Sequence, residues 1–252
     1  YINTVSALNN KGTLSHYSET GAHIIVSAHS NGGTRGIYST DLRGRNGYNQ
    51  RGTAQGEPSD LNYTDSFGGT SSASPAVAGM MALMLEANPN LNWRDVKEIL
   101  LRSSTKINPT SNDWVTHPGG RPSLPAIKHH HFYGGGAANA ATAVDLALKW
   151  QSLGPMIEAT RTNTDEQYIP DNDTGGIDID FDFSSAAPMR VEHAKLNFNI
   201  EHPYRGDLEI TLRSPDGIVS TLAYKQTRDS GENYEDRTFN SVRHWGTSAQ
   251  GT

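Results

Sequence analysis

The sequence predicts an α/β fold over residues 1–153 and an all-β fold over residues 157–252. Ile24-Ile25-Val26 is a short unbroken apolar run between polar turns, as expected of a strand buried on both faces of a sheet. Helical segments follow it, and helices interleaved with a buried strand define the α/β class. Past Ser152-Leu153-Gly154-Pro155, the expected linker, no helical period remains and apolar residues alternate with polar ones.

Tyr1 to Leu8 is apolar enough for a buried strand, and Tyr17-Ser18-Glu19-Thr20-Gly21 is a polar turn. Residues 31–65 are rich in Gly, Asn, Asp and Arg, which predicts a long surface loop around a hairpin, with Arg43, Arg45 and Arg51 on a solvated face. Gly68 and Gly69 permit a sharp turn into a helix. Pro75 is tolerated there because first-turn amides have no internal partner. Met80, Met81, Leu83, Met84 and Leu85 put apolar side chains all round this helix, predicting burial in the middle of a large domain.

Asn88-Pro89-Asn90 stops it. Asn92 caps a second helix, with Asp95 as its capping-box partner and Val96, Ile99 and Leu100 as its apolar stripe. Residues 103–132 read as loop, and Ala140 to Trp150 as a third helix. Beyond the linker, Ile177, Ile179, Phe181 and Phe183 alternate with Asp178, Asp180 and Asp182. Ala194 to Ile200 and Leu208 to Leu212 keep the same period, and Ser214-Pro215-Asp216-Gly217 turns into a strand from Ile218 to Leu222. Short strands at this spacing predict a β-sandwich.

The chain has 252 residues and no cysteine, so it has room for two domains and no disulfide or thiol chemistry. No stretch approaches the roughly 18 apolar residues of a membrane span. It opens on Tyr1 without a signal-peptide pattern, which points to a start further upstream. Residues 1–153 carry a net charge of +2 and residues 154–252 a net charge of −8. Neither half is basic enough to suggest nucleic-acid binding.

The chemistry concentrates in Gly68-Gly69-Thr70-Ser71-Ser72-Ala73-Ser74-Pro75-Ala76-Val77-Ala78-Gly79. A helix beginning here holds the Ser71 hydroxyl at its positive dipole end, with the Ser71 amide free to donate to an oxyanion. The plain alternative is a small-residue helix start with incidental serines. The full string, however, resembles the nucleophile motif of subtilisin-like serine proteases, where the Ser after Gly-Thr attacks the peptide carbonyl. The esterase pattern Gly-x-Ser-x-Gly is absent.

Three further stretches extend the likeness: Tyr17-Ser18-Glu19 before Gly21, the run from Glu86 to Val96, and the β region with Ile169-Pro170-Asp171, His202 to Leu208, Ser214 to Gly217 and His244-Trp245-Gly246. Together they resemble the kexin, or proprotein-convertase, branch of the subtilisin-like proteases over nearly the whole chain. The resemblance implies a partial catalytic domain at 1–153, with a parallel sheet and a buried central helix, and a jelly-roll-like sandwich P domain at 157–252, lacking its final strands. It also implies a secreted or cell-envelope serine endopeptidase that cuts peptides or proteins after basic residues.

A serine nucleophile needs a base that is itself oriented by a carboxylate. The family's chain order is Asp, His, Ser. His16, His23 and His29 precede Ser71 without the Gly-Thr that follows the family's base, and Asp41, Asp60 and Asp65 lack its Asp-Gly setting. Asn31-Gly32-Gly33-Thr34 imitates the oxyanion-hole Asn motif but follows Tyr17-Ser18-Glu19 instead of preceding Ala7. The expectation is therefore a fragment whose catalytic Asp, His and oxyanion Asn lie upstream of Tyr1. Glu19 matches a family position that binds calcium beneath the specificity pocket; a turn glutamate in water competes with that reading.

Asp171 to Gly175 lacks EF-hand spacing, and Asp178, Asp180 and Asp182 read as a solvated strand face. His129-His130-His131 reads as exposed loop in preference to a metal site, since no matching ligand cluster stands nearby in the sequence. Two other functions compete with the kexin reading: a broad-specificity bacterial subtilase with the same P domain, and a non-catalytic β-sandwich binding protein. The acidic sandwich is expected to dock by its apolar surface near the helix from Ala140 to Trp150.

Overall fold

The apolar run forms the strand it predicts. Ile24–His29 (β2) pairs in parallel with Thr4–Leu8 (β1), Val5 opposite Val26 and Leu8 opposite His29. The computed structural model describes residues 2–252, a mixed α/β structure of three α-helices and small sheets. Ile37–Thr40 (β3) and Tyr63–Phe67 (β4) close the expected hairpin, which delivers the chain to the Gly68-Gly69 turn. Arg43, Arg45 and Arg51 are exposed on its long loop.

Helix α1 spans Thr70–Ala87. Ala73, Val77, Met80 and Met84, one stripe at helical spacing, are buried, whereas Leu83 and Leu85 are 50% and 42% exposed. The expected all-round burial is thus corrected among the described residues: apolar residues ring the helix, but only the stripe is fully buried in the common core, with Met81 and Ala87 packed against it half-buried.

Helix α2, Trp93–Ser103, begins on the expected capping box. The Asn92 side chain accepts from the amides of Arg94 and Asp95, and Asp95 Oδ2 accepts from the Asn92 amide at 2.9 Å. Every residue from Asp95 to Ser103 is buried, including the polar face. Helix α3, Ala140–Leu148, is capped by the side chain of Asn139. It stops two residues short of Trp150, whose indole N–H donates to Asp95 Oδ1 at 2.9 Å. Inside the expected loop, Val115–His117 (β5) and Ile127–His129 (β6) pair antiparallel.

Beyond the linker, Ala194–Ile200 (β7) pairs antiparallel with Tyr234–Ser241 (β10), and Ile210–Arg213 (β8) with Val219–Ala223 (β9). Ser220 and Ser241 join β9 to β10 by a 2.6 Å hydroxyl contact. The expected strand at Ile177 to Phe183 is corrected: residues 151–189 form no helix or strand. Alternation assigns two faces, but a strand also needs a neighbouring ladder. Ile179 lies 43% exposed instead of covered by one.

The two parts of the chain share one core, because Val242 and Trp245 are buried in the same cluster as Ile99, Leu100 and Leu101. Their polar contacts fall on α2, on residues 113–131 and on the turn before β2, where the Val242 N–H donates to the Ala22 carbonyl at 2.9 Å. The Arg94 guanidinium pairs with Glu192, Trp245 Nε1–H donates to Glu98 Oε2, and Arg243 reaches Asp113. This differs from the expected site on the third helix. The polar face of α2 holds buried charges that need partners, and the second part supplies several of them.

Candidate active site

The turn into α1 is built on Gly69, whose φ of 74° and ψ of 178° fall in a region open essentially to glycine alone. Gly68 is required for a different reason: a Cβ there would lie 1.9 Å from Cγ of Asn31. The two glycines let the chain reverse tightly against the loop after β2 and start the helix at Thr70. Ser71 is then the second residue of α1, exposed, with its amide among those lacking an intrahelical acceptor. Its hydroxyl forms no hydrogen bond among the described residues. An exposed hydroxyl and a free amide at a helix N-terminus can serve as nucleophile and oxyanion donor on one residue.

The backbone of Gly69 is held on both sides. Its N–H donates to Asn31 Oδ1 at 2.9 Å, and its carbonyl accepts from the Ser30 hydroxyl at 2.7 Å. Tyr17 Oη donates to Asn31 Oδ1 at 2.6 Å, and Ser72 Oγ donates to Ser30 Oγ at 2.7 Å. The sequence marks Asn31 only as an imitation of an oxyanion-hole motif. Its place against Gly69, 38 residues on, has no local signal.

The histidines ahead of Ser71 are engaged elsewhere. His29 Nδ1 lies 3.1 Å from the carbonyl of Asn9, and His16 packs edge-on to Tyr17. Asp41 accepts from the amides of Leu42 and Asn49, and Asp60 from that of Asn62. These carboxylates are turn residues, in keeping with their sequence setting.

Glu19 is exposed and lines a cavity of about 230 Å³ together with Val5, Tyr17, His23 and Thr70, next to the Gly68-Gly69 turn. Its carboxylate has no ion pair or hydrogen bond among the described residues. Calcium takes six to eight oxygens. The described residues hold no cluster of three or more carboxylate or imidazole ligands, so Glu19 can supply one oxygen but does not make a site.

The three consecutive histidines are not the exposed loop the sequence suggests. His129, His130 and His131 are 0%, 3% and 5% exposed. His129 Nε2 bonds the carbonyl of Ile24, and burial holds its pKa well below the ordinary value. His131 Nδ1 lies 2.7 Å from Asp113 Oδ1 while its Nε2 accepts from the Thr221 amide, so the ring is neutral with its proton on Nδ1. Burial opposes ionisation of Asp113, but hydrogen bonds from the His131 side chain and amide, and the charge of Arg243, bring it down to about 2. These residues knit structure together, and nothing in the local sequence around Asp113 marks it out.

Residues 1–125 match the family described as Subtilase family, and residues 191–252 match Proprotein convertase P-domain. The chain thus carries a segment similar to the subtilase family followed by one similar to the proprotein convertase P-domain. Among its relatives is "Protease KEX1" of Kluyveromyces lactis, 32% identical over 99% of this chain and 31% of the relative. Another is the "Calcium-dependent protease" of Trichormus variabilis, 35% identical over 97% of this chain and 35% of the relative. The crystal structure of a serine protease of Aeromonas sobria superposes with a TM-score of 0.72 at 26% identity, over 98% of this chain and 49% of that one. The chain thus spans about a third of the length of these curated relatives.

Proposed function

We propose that this chain is part of a kexin-type serine endopeptidase in which Ser71 is the nucleophile. The observation that carries the reading is the exposed Ser71 hydroxyl at the N-terminus of α1, set there by a glycine-only turn. Ser71 Oγ attacks the peptide carbonyl and passes its proton to a histidine base. The Ser71 amide, aided by the helix dipole, donates to the carbonyl oxygen as it takes up negative charge. Cleavage releases the amine half and leaves an acyl ester on Ser71, which water hydrolyses to free the hydroxyl. No histidine among the described residues bonds Ser71, so the base comes from the remainder of the protease.

Peptide or protein substrates and a secretory location follow the named relatives, and selection for Lys or Arg follows the kexin-type reading. No helix among the described residues is long and apolar enough to cross a membrane. Glu19 contributes one oxygen to a structural calcium ion, a reading supported by its free carboxylate and by the calcium-dependent relatives. In the second part, β7–β10 and β8–β9 are read as halves of a P-domain sandwich that buttresses the catalytic part through α2. A purely non-catalytic binding role is not favoured, because both segments match their families in protease order.

The test is Ser71→Ala in the full-length protease. Turnover of a basic-site peptide should fall by roughly 10⁴-fold or more, with the melting temperature unchanged. An active-site phosphonate should label the parent at Ser71 and leave the variant unlabelled. Purified Ser71→Ala enzyme that still cleaves at a substantial rate would refute the assignment.

A further inference from the structure

We infer that Asn31, supported by Tyr17 and Ser30, is a positioning residue for the nucleophile, fixing the direction of the Ser71 hydroxyl and amide by clamping the backbone on either side of Gly69 from outside the helix. The inference rests on the reading of Ser71 given above.

Gly69 is the hinge between β4 and α1. Having no Cβ, it has the widest choice of backbone angles in the turn, so the two peptide planes that meet at its Cα are not fixed by its own sterics. Rotating the plane between Gly69 and Thr70 would swing Thr70 and Ser71. The groups that stop it are side chains of the loop after β2. Asn31 Oδ1 takes the Gly69 N–H at 2.9 Å, and the Ser30 hydroxyl holds the Gly69 carbonyl at 2.7 Å. With the Gly68–Gly69 plane held through its N–H and the Gly69–Thr70 plane held through its carbonyl, neither can tilt without breaking a hydrogen bond.

The grip is itself held. Two donors, the Gly69 N–H and the Tyr17 O–H, converge on Asn31 Oδ1, so the amide orientation is chemically determined: turning it over would point an NH₂ at both. The backbone carbonyl of Asn31 accepts from Ser15 Oγ at 2.5 Å, tying the loop to the turn before Tyr17. Ser30 is 2% exposed and also receives the Ser72 hydroxyl, which locks the residue next to the nucleophile. Gly68 completes the arrangement, because any side chain there would collide with the Asn31 amide. The brace therefore joins the loop after β2 to the helix start through the side chains of Tyr17, Ser30, Asn31 and Ser72.

A brace of this kind acts on the transition state more than on substrate binding, since a nucleophile displaced by an ångström loses about 100-fold in rate. In the full-length protease, Asn31→Ala removes the shared acceptor. Its kcat should fall roughly 10- to 100-fold at nearly constant KM, with phosphonate labelling of Ser71 slowed in parallel. Asn31→Asp keeps an acceptor for both donors and should recover most of kcat near neutral pH, with a new loss at acid pH as the carboxylate protonates. A purely structural role would lower the melting temperature without this split and without rescue by the acid.

Wild-type kcat in Asn31→Ala, a change confined to KM, or no recovery in Asn31→Asp would each overturn the inference. Should Asn31→Ala fail to fold, Tyr17→Phe carries the test: a reduced kcat at unchanged KM supports the brace and an unchanged kcat overturns it. Ser71→Ala is run beside them. An active Ser71→Ala enzyme overturns the underlying reading and this inference with it, whereas an inactive one beside a fully active Asn31→Ala overturns the brace alone.

Discussion

Arg243 and Asp113 lie 130 residues apart and meet in a partly buried contact, with Arg243 Nη2 2.8 Å from the Asp113 carbonyl and 3.1 Å from its carboxylate. The same guanidinium donates to the carbonyls of Val219 and His129, so it ties β9, β6 and the segment before β5 to one side chain. Arg243→Ala would leave a carboxylate and three carbonyls short of a donor. Removing one partner of a buried ion pair costs about 3–5 kcal/mol, and Asp113 keeps His131 as a second partner, so the lower end is expected. Chemical denaturation should show a lower midpoint at an unchanged slope; a loss below about 1 kcal/mol would show that the contact is incidental.

Acid should loosen the same seam. His244 is 2% exposed, and neither ring nitrogen has a hydrogen-bond partner among the described residues. Burial, with the charge of Arg243 acting in the same direction and Asp216 against it, lowers its pKa to about 4. His193 is likewise held at about 4 by burial and Lys97, against a hydrogen bond with Asn240. A depressed folded-state pKa means the neutral ring favours the fold. Its contribution is complete above the unfolded value near 6.5 and is lost as pH falls toward 4. The melting temperature should therefore drop between pH 6.5 and 4. His244→Leu should flatten that slope, by up to about 3 kcal/mol at the acid end; an unchanged acid slope would assign the sensitivity elsewhere.

The loop between β3 and β4 hangs on Asn49, which is fully buried. Its Nδ2 donates to the carbonyls of Pro58, Asp60 and Tyr63, and its Oδ1 accepts from the Gly52 amide. Asn49→Ala would strip these partners at once, at a cost of about 1–3 kcal/mol for each carbonyl or amide left buried and unpaired. Limited proteolysis should then cut within residues 41–62 at a rate at least tenfold above the parent. A cleavage pattern identical to the parent's would argue that the loop is held by its other contacts.

Trp245 and Val242 are each 1% exposed in the cluster that also contains Ile99, Leu100 and Leu101. A full-length protease compared with a version ending at Leu153 should show the shortened protein melting lower, because α2 would lose both apolar cover and the partners of its buried charges. Equal melting temperatures and equal activity would mean that the second part is an independent binding module.

What the sequence alone determined is what short-range chemistry decides. The Asn92–Asp95 capping box, the stop at Asn88 and the Gly69 turn presenting Ser71 depend on bonds or sterics within about four residues, and all three stand in the structure. The order of segments, with the nucleophile motif ahead of the alternating β region, was readable for the same reason. Tertiary structure alone decided which faces were covered. It buried the polar side of α2 beneath Trp245 and Glu192, took the three histidines inside against Asp113, and left Leu83 and Leu85 exposed. It withheld a partner ladder from Ile177 to Phe183, and it brought Asn31 to Gly69. The physical reason is range: periodicity and caps are written in neighbouring residues, whereas cover and hydrogen-bond partners come from residues tens of positions away, which no local pattern specifies.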